Sequence, residues 1–234
     1  MKKYLFIIII FNSFFANAQI DPDFVKYKDI GDKNYTNQRF LSAKKAFEVA
    51  LSIKLNDDYC LKQLQRCKHK ITEATDRERK SQQIINQKPI VVESNLKLEL
   101  RTNKGINDIL YIENETMKIA FKVSGPCFIR LVYRMADDKL ILLRNDYKVT
   151  VAEVNQWVEL PQDFVCAAPF GTENLLAYAS KKEFPAINIE KIGEYRFINE
   201  DLSEVIDKSQ SKKAKGQTAE KRITIITQEN YIKE

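Results

Sequence analysis

The stretch LKLELR at residues 96–101 decides the fold of the C-terminal part of this chain, because apolar and charged residues alternate strictly along it. Similar alternation returns in MKIAFKV at residues 117–123 and in CFIRLVYRM at residues 127–135. A period of two places the apolar side chains of a strand on one face of a sheet and leaves the other face polar. These stretches therefore predict antiparallel strands with one wet face.

More short strands are predicted downstream. A turn at Asp137 and Asp138 leads from residues 127–135 into residues 140–143, which predicts a hairpin. Several short strands at this spacing are typical of a sandwich or a barrel. The other predicted strands are residues 157–160, 164–168, 175–180 and 223–227.

The apolar residues before residue 88 recur at helical spacing. No proline occurs between residues 24 and 87, and apolar residues recur at intervals of three and four. Where the last helix becomes polar, it is expected either to fray or to serve as a connector. Pro89 cannot continue a helix, and a linker is predicted over residues 88–94. The predicted helices are residues 23–36, 40–54 and 58–86.

The predicted fold class is therefore α+β with two domains. An antiparallel helical hairpin or repeat of about three helices occupies residues 19–87, and an antiparallel β-sandwich occupies residues 95–234. Within the second domain, residues 201–207 are typical of a short helix. The polar, basic residues 208–222 predict a mobile loop.

The N-terminus predicts export. A basic start, a short apolar run at residues 4–11 and a small-x-small exit at residues 16–18 are typical of a cleavable signal peptide, here residues 1–18. The run is shorter than the roughly 20 apolar residues of a spanning helix, so no membrane span is expected in the mature chain. No cysteine lies near the cleavage site, which argues against lipidation. The expected location is the periplasm, the cell surface or the medium.

The charge of the chain argues against a nucleic-acid partner. The sequence has 38 Lys and Arg against 32 Asp and Glu, and removing the two leader lysines lowers the net charge from +6 to +4, which is 36 against 32. This surplus is spread along the chain, whereas nucleic-acid binding requires a concentrated basic face.

Four cysteines occur in a chain expected to reach an oxidising compartment. Cys60 and Cys67 are two turns apart on one predicted helix, which is too far for a disulfide, so both are expected to pack as apolar residues. Cys127 and Cys166 lie in predicted strands and could pair. The cysteine spacings do not suit a zinc site, and neither a metal nor a cofactor is expected.

The helical part follows the spacing of a known repeat. Ile30 and Gly31 form a pair that is followed by aromatic and small residues at offsets of 9, 12, 16 and 19 from the glycine. With these positions, residues 24–57 resemble one tetratricopeptide repeat, although any helical hairpin with alanine at its crossing shares part of the pattern. Asn34 and Leu55 depart from it, because the family has an aromatic residue and a proline there. The matching residues that pack the repeat are Tyr27, Gly31, Phe40, Ala43, Phe47 and Ala50.

A tetratricopeptide-like hairpin implies docking of a partner protein. About three repeats are normally needed for stability. One repeat and part of a second must therefore rest on the β domain or on a partner.

The β part follows a second family pattern. A strand at residues 96–102 is followed by a Tyr111-centred strand entry, a hairpin ending in LLRN at residues 142–145, WVELP at residues 157–161 and a PFG turn at residues 169–171. In this order, residues 95–180 resemble the bacterial domain of unknown function 4384. The sequence departs where the family has Phe-Pro-Asn after the hairpin. The resemblance implies an accessory or binding role, because the family has no established activity.

No catalytic constellation is visible, so an enzyme is not expected. His69 is the only histidine and lies among cations on a polar helical face, where a solvated side chain is expected rather than a catalytic base. A cysteine nucleophile would lack a histidine partner. The acidic pairs at residues 57–58 and 137–138 lie at turns, where aspartate is favoured for backbone reasons. A hydrolase that uses two carboxylates stays open as an alternative.

Two groups of side chains are candidates for ligand binding. Trp157, the only tryptophan, is either a core or rim residue or a stacking platform for a sugar or peptide, together with Tyr147 and Asn145. Arg130 and Arg134 point outward on the third strand and either take an anionic ligand or form a solvated face.

The preferred hypothesis is an exported, non-enzymatic interaction module of the bacterial cell envelope. Its partner would be another envelope protein that docks on the helices, with the β domain as scaffold. The alternatives are a β-sandwich that binds a glycan or another envelope ligand, and a hydrolase that uses carboxylates.

Overall fold

Three helices open the part of the chain that the computed structural model describes, which is residues 21–87, 95–210 and 218–230. They are α1 (Pro22–Thr36), α2 (Phe40–Ile53) and α3 (Asp58–Gln87). Their bounds agree with the predicted ones to within one residue, although the polar end of α3 is helical rather than frayed. The predicted signal peptide and the predicted linker lie outside the described residues.

Aspartates define where two of these helices begin. The side chain of Asp21 accepts a hydrogen bond from the Asp23 amide at 2.8 Å, and Pro22 occupies the first turn of α1. The side chain of Asp57 accepts from the Cys60 amide at 3.1 Å at the start of α3. These bonds satisfy amide groups that have no partner within the first turn of a helix.

The helices pack around small residues. Gly31 of α1 lies against the ring of Phe47 of α2, so closely that a Cβ at position 31 would be 2.6 Å from the nearest ring carbon. Tyr27 packs at the edge of this core, and Phe40 meets Tyr35 edge-on at 5.3 Å. The buried residues of the core are Phe24, Ala43, Phe47, Ala50, Cys60 and Cys67.

Strands follow from residue 98. The described residues form β1 (Leu98–Thr102), β2 (Ile109–Ile112), β3 (Thr116–Met117), β4 (Ile119–Val123), β5 (Phe128–Arg134), β6 (Leu140–Lys148), β7 (Val158–Glu159), β8 (Phe164–Val165), β9 (Thr172–Ser180), β10 (Ile189–Ile192), β11 (Tyr195–Ile198) and β12 (Thr218–Gln228). A 3₁₀ turn (Val151–Glu153) precedes β7, and α4 (Leu202–Gln210) precedes β12. The fold class α+β is therefore confirmed.

The strands form three sheets in the described part of the chain. The largest has seven strands in the order β10-β11-β6-β5-β9-β12-β2, a second has the order β1-β4-β7, and β3 pairs with β8. The predicted hairpin is confirmed as the antiparallel pair β5 and β6. The expectation of purely antiparallel strands is wrong for one pair, because β2 and β12 run parallel.

The two larger sheets share one apolar core. Leu98 and Leu100 of β1 and Phe121 of β4 belong to the same buried cluster as Leu131 of β5 and Leu175 of β9. The opposite face of the seven-stranded sheet is covered as well. There, Val132 and Leu176 pack with Phe184 and with Val205 of α4. Strand β5 is therefore buried on both faces, unlike the predicted strand with one wet face.

The segment predicted as a mobile loop contains regular structure at both ends. Residues 208–210 complete α4, residues 218–222 begin β12, and residues 211–217 lie outside the described residues. Residues 218–222 form a strand despite their charged side chains. They pair with β9, and Ala219 packs in the core.

Among the described residues, the helices contact the β domain at two places. Near the start of α2, Ser42 donates to the carboxylate of Glu229. Near the end of α3, Ser81 donates to Asp138 at 2.7 Å and Gln82 donates to Asn174 at 3.3 Å. The three helices thus rest on the β domain. None of the helices in the described ranges combines the length and the apolar character needed to cross a bilayer.

Candidate functional site

Arg130 and Arg134 do not form a solvated face, because both side chains are 0% exposed. Arg130 donates to Asn145 Oδ1 at 2.8 Å and to the Pro185 carbonyl at 2.6 Å. Arg134 donates to Asp138 at 2.7 Å. Their outward direction was predicted correctly, but α4, the end of α3 and the segment before β10 cover that face. Neither guanidinium is available to a dissolved anion in this structure.

The structure does not assemble Trp157, Tyr147 and Asn145 into one platform. The Trp157 ring lies beside two cations, with the Arg101 guanidinium 4.0 Å and the Lys122 ammonium 5.1 Å from the ring centroid. Tyr147 packs edge-on against Phe121 and donates to Glu153. Asn145 accepts from buried Arg130 at 2.8 Å. Each of the three side chains has its own set of partners.

The possible disulfide between Cys127 and Cys166 is not formed in the structure. Both residues are buried free thiols. Cys166 lines a cavity with Tyr133, whereas Cys127 lies directly before β5 and six residues before Tyr133, which corresponds to about 20 Å of extended chain. A disulfide requires the two Cα atoms within about 7 Å. Cys60 and Cys67 are buried in the helical core.

His69 lies on α3, one acidic pair lies at the start of α3, and the other lies at the turn between β5 and β6. His69 has an exposed side chain 3.5 Å from Glu73. Asp57 caps α3, and its pKa is lowered to about 2 by hydrogen bonds from Lys54 and from the Cys60 amide. In the described ranges, no three or more His, Cys, Asp or Glu side chains are placed to hold a metal ion.

An open groove of about 690 Å³ crosses the helical part. The end of α1 and the start of α2 form one wall, and one face of α3 forms the other. This helical groove is lined by the aromatic rings of Tyr35, Phe40 and Tyr59, the cations Arg66, Lys70 and Arg77, and the polar residues Asp32, Thr36, Gln38 and Gln63.

Positive charge dominates the helical groove. Arg66 lies over the Tyr35 ring at 4.8 Å and donates to Gln63, with no carboxylate partner in the described part of the chain. The other two cations face carboxylates outside the groove lining: Lys70 pairs with Glu73 at 2.9 Å, and the buried Nε atom of Arg77 lies 4.0 Å from the Asp138 carboxylate. The one lining carboxylate, Asp32, accepts from the Tyr59 hydroxyl at 2.6 Å. Arg66 therefore offers the donors that are left for an anionic group.

A smaller cavity of about 200 Å³ lies in the β domain, between β5, β6, β9 and β11 and the segment around β8. We call it the Glu173 cavity, after its one lining carboxyl group. Its walls are mostly apolar and include Met117, Met135, Leu143, Phe164 and Phe197. The Tyr133 hydroxyl and the Ala136 amide both donate to the Glu173 carboxyl, which is 5% exposed.

Burial changes the ionisation of Glu173. Removal from water disfavours the carboxylate and raises its pKa from 4.5 to about 7, although the hydrogen bonds from Tyr133 and the Ala136 amide act in the opposite direction. Burial also raises the pKa of Cys166 to about 11 and raises that of Tyr133. Among these three cavity groups, only Glu173 therefore changes charge between pH 5.5 and 8.5.

The raised pKa of Glu173 predicts a loss of stability with rising pH. The folded state binds this proton more tightly than the unfolded chain, so the stabilisation is present at low pH and is lost as pH rises through about 7. We expect the free energy of unfolding to fall by about 2 kcal/mol between pH 5.5 and 8.5 through this group. Urea denaturation of wild type and Glu173→Gln measures it.

The difference between the pH profiles of wild type and Glu173→Gln separates the contribution of Glu173 from that of the other titrating groups. Glu173→Gln keeps an acceptor for Tyr133 but cannot ionise, so its stability should change less over this range. Glu159→Gln, at an exposed position in β7, is the matched control and should follow wild type. Parallel pH profiles for wild type and Glu173→Gln would contradict the assignment.

Neither the helical groove nor the Glu173 cavity was predicted from the sequence. Tyr59, Gln63, Arg66 and Lys70 are spaced by four, three and four residues, so a helical projection would have placed them on one face of α3. Glu173 gives no comparable signal, because it lies between Thr172 and Asn174 in a polar run that follows a turn.

No protein-family model, no curated protein and no solved structure matches this chain.

Proposed function

We propose that this chain is an exported interaction protein whose helical groove binds an acidic segment of a partner protein. One observation carries the proposal: three aromatic rings and three cations line an open groove of about 690 Å³. Aromatic and arginine side chains are enriched where proteins bind one another, and charge complementarity selects the partner.

The unused bonding capacity of the helical groove supports an acidic occupant. Arg66 has no carboxylate partner in the described ranges, where it contacts the Gln63 side chain and the Tyr35 ring. A carboxylate binds an arginine through two parallel hydrogen bonds, and such bonds are stronger than those between neutral groups. Tyr35, Phe40 and Tyr59 provide apolar surface for neighbouring side chains of the same segment.

The β domain is proposed to be a sandwich that serves as the scaffold. Support comes from the core shared by the seven-stranded and three-stranded sheets and from the contacts between α3 and the β domain. The resemblances to a tetratricopeptide repeat and to the bacterial domain of unknown function 4384 agree with this division of roles. The leader-like residues 1–18 suggest that the partner is another protein of the bacterial envelope.

Reversing one charge in the helical groove tests the proposal. We expect the protein to bind acidic, aromatic-containing peptides on an array more strongly than neutral peptides of the same composition. Arg66→Glu should weaken the affinity for the best acidic peptide about tenfold or more, because it replaces attraction with repulsion. Fluorescence anisotropy of the labelled peptide measures the change.

Lys68→Glu is the matched control, since it makes the same charge change on the same helix at an exposed position outside the helical groove. Its affinity should stay within about twofold of wild type, because exposed charges contribute little. Equal losses in the two variants would show only a general charge effect. A protein that binds no acidic peptide would refute the proposal.

A further inference from the structure

The Glu173 cavity is partly open to solvent, because two of its lining residues, Val165 and Tyr195, are 60% and 53% exposed. Here the carboxyl of Glu173 lines a cavity that a small molecule can enter.

Three other polar side chains of the cavity have partners within the protein. Tyr111 donates its hydroxyl to Asn103, Thr227 donates to the Gly171 carbonyl at 3.1 Å, and the Cys166 thiol donates to the Tyr111 carbonyl at 3.6 Å. A carboxylate has about four acceptor positions. Glu173 receives hydrogen bonds from Tyr133 and the Ala136 amide, so acceptor capacity is left for a ligand.

Size and lining define the rest of the ligand. A cavity of about 200 Å³ exceeds the roughly 150 Å³ in which an engineered protein site holds benzene. One ring with a short chain therefore fits. The walls of methionine, leucine and phenylalanine side chains favour a hydrocarbon skeleton.

We propose that the Glu173 cavity binds a small apolar amine, whose ammonium group donates to the Glu173 carboxylate and whose carbon skeleton fills the apolar part of the cavity. An ammonium offers donors and a positive charge and accepts no hydrogen bond, which complements a buried carboxylate. This site is separate from the helical groove and does not depend on the function proposed for it.

Charged and titratable groups near Glu173 set the pH dependence of binding. Tyr133, Tyr111 and Cys166 face it within the cavity, and burial raises the pKa of all three, which keeps them neutral below pH 8.5. Arg134 favours its ionised form and Asp137 disfavours it. Because a protonated Glu173 offers no negative charge, amine binding should weaken as pH falls.

Calorimetric titration of the purified protein with 2-phenylethylamine tests the proposal. We expect binding at pH 8.5, an affinity at least tenfold lower at pH 5.5, and an affinity at least tenfold lower for Glu173→Gln at pH 8.5. Glu159→Gln should bind the amine as wild type does. 2-Phenylethanol and 3-phenylpropionate, which lack the positive charge, should bind more weakly than the amine.

Several results would overturn the proposal. They are no binding of the amine, equal binding of the alcohol, preference for 3-phenylpropionate, and unchanged affinity in Glu173→Gln. Circular dichroism shows whether that variant folds. If it does not, wild type still decides the question, because amine binding at pH 7 must release the proton from those molecules in which Glu173 is still protonated. The apparent binding enthalpy should then differ between phosphate and Tris buffers, and equal enthalpies would refute the proposal.

Discussion

Replacing Arg130 with alanine is expected to lower the free energy of unfolding by about 4 kcal/mol, because it removes the donor at the centre of a buried polar network. The side chain is 0% exposed and donates to Asn145, Ser209 and the Pro185 carbonyl. Its guanidinium also lies over the Phe184 ring at 4.7 Å. Truncation leaves these acceptors without a donor and opens a cavity under α4. Urea denaturation followed by circular dichroism measures the loss.

Arg79→Ala is the control for Arg130→Ala. Arg79 lies on α3 with 69% of its side chain exposed, in an ion pair with Asp76. Its loss should cost no more than about 0.5 kcal/mol, because exposed ion pairs contribute little. Burial lowers the pKa of Arg130 to about 10, so its guanidinium is still charged at neutral pH. A cost for Arg130→Ala as small as that of Arg79→Ala would mean that the face under α4 is open to water.

Replacing Gly31 with alanine should destabilise the helical part by about 3 kcal/mol. In most helix interiors the same change would stabilise by roughly 1 kcal/mol, since alanine has the higher helix propensity. Here the added methyl would lie 2.6 to 2.8 Å from three carbons of the Phe47 ring, which is fully buried. Urea unfolding monitored by helical circular dichroism reports the sign of the change.

A second substitution separates the steric effect from other causes. Adding Phe47→Leu to Gly31→Ala should recover part of the lost stability, because the smaller side chain leaves space for the methyl group. Gly125→Ala is the matched control, since its nearest contact would be Leu96 at an ordinary 3.4 Å. No recovery in the double variant would argue against a clash with Phe47.

The helices and most inner strands could be predicted from the sequence because their apolar residues follow one period without interruption. The hairpin of β10 and β11 was missed, since Ile189–Ile192 is exposed throughout and its sequence shows no buried face. The start of β12 was missed because Glu220, Lys221 and Arg222 are three consecutive charged residues and hide the alternation of a strand. In both cases pairing with a neighbouring strand decides the structure, and a single sequence does not show that neighbour.

The candidate sites were harder to predict because they depend on what covers a surface. Alternation along β5 placed Arg130 and Arg134 correctly on the outer face, yet nothing in that stretch shows that α4 and α3 bury them. Glu173 gives the opposite case, since its polar neighbours predict a turn while the fold places it in an apolar cavity. Tertiary contacts decide both outcomes, and they come from residues distant in sequence.

The position of β12 has a consequence for how the β domain acquires its structure. This strand lies between β9 and β2 in the seven-stranded sheet, and β2 has no other neighbour in that sheet among the described residues. The register joins Ile225 to Ile109, more than a hundred positions earlier in the chain. Contacts between residues so far apart in the sequence make folding slow. The seven-stranded sheet therefore cannot reach its full strand order until β12 has been synthesised.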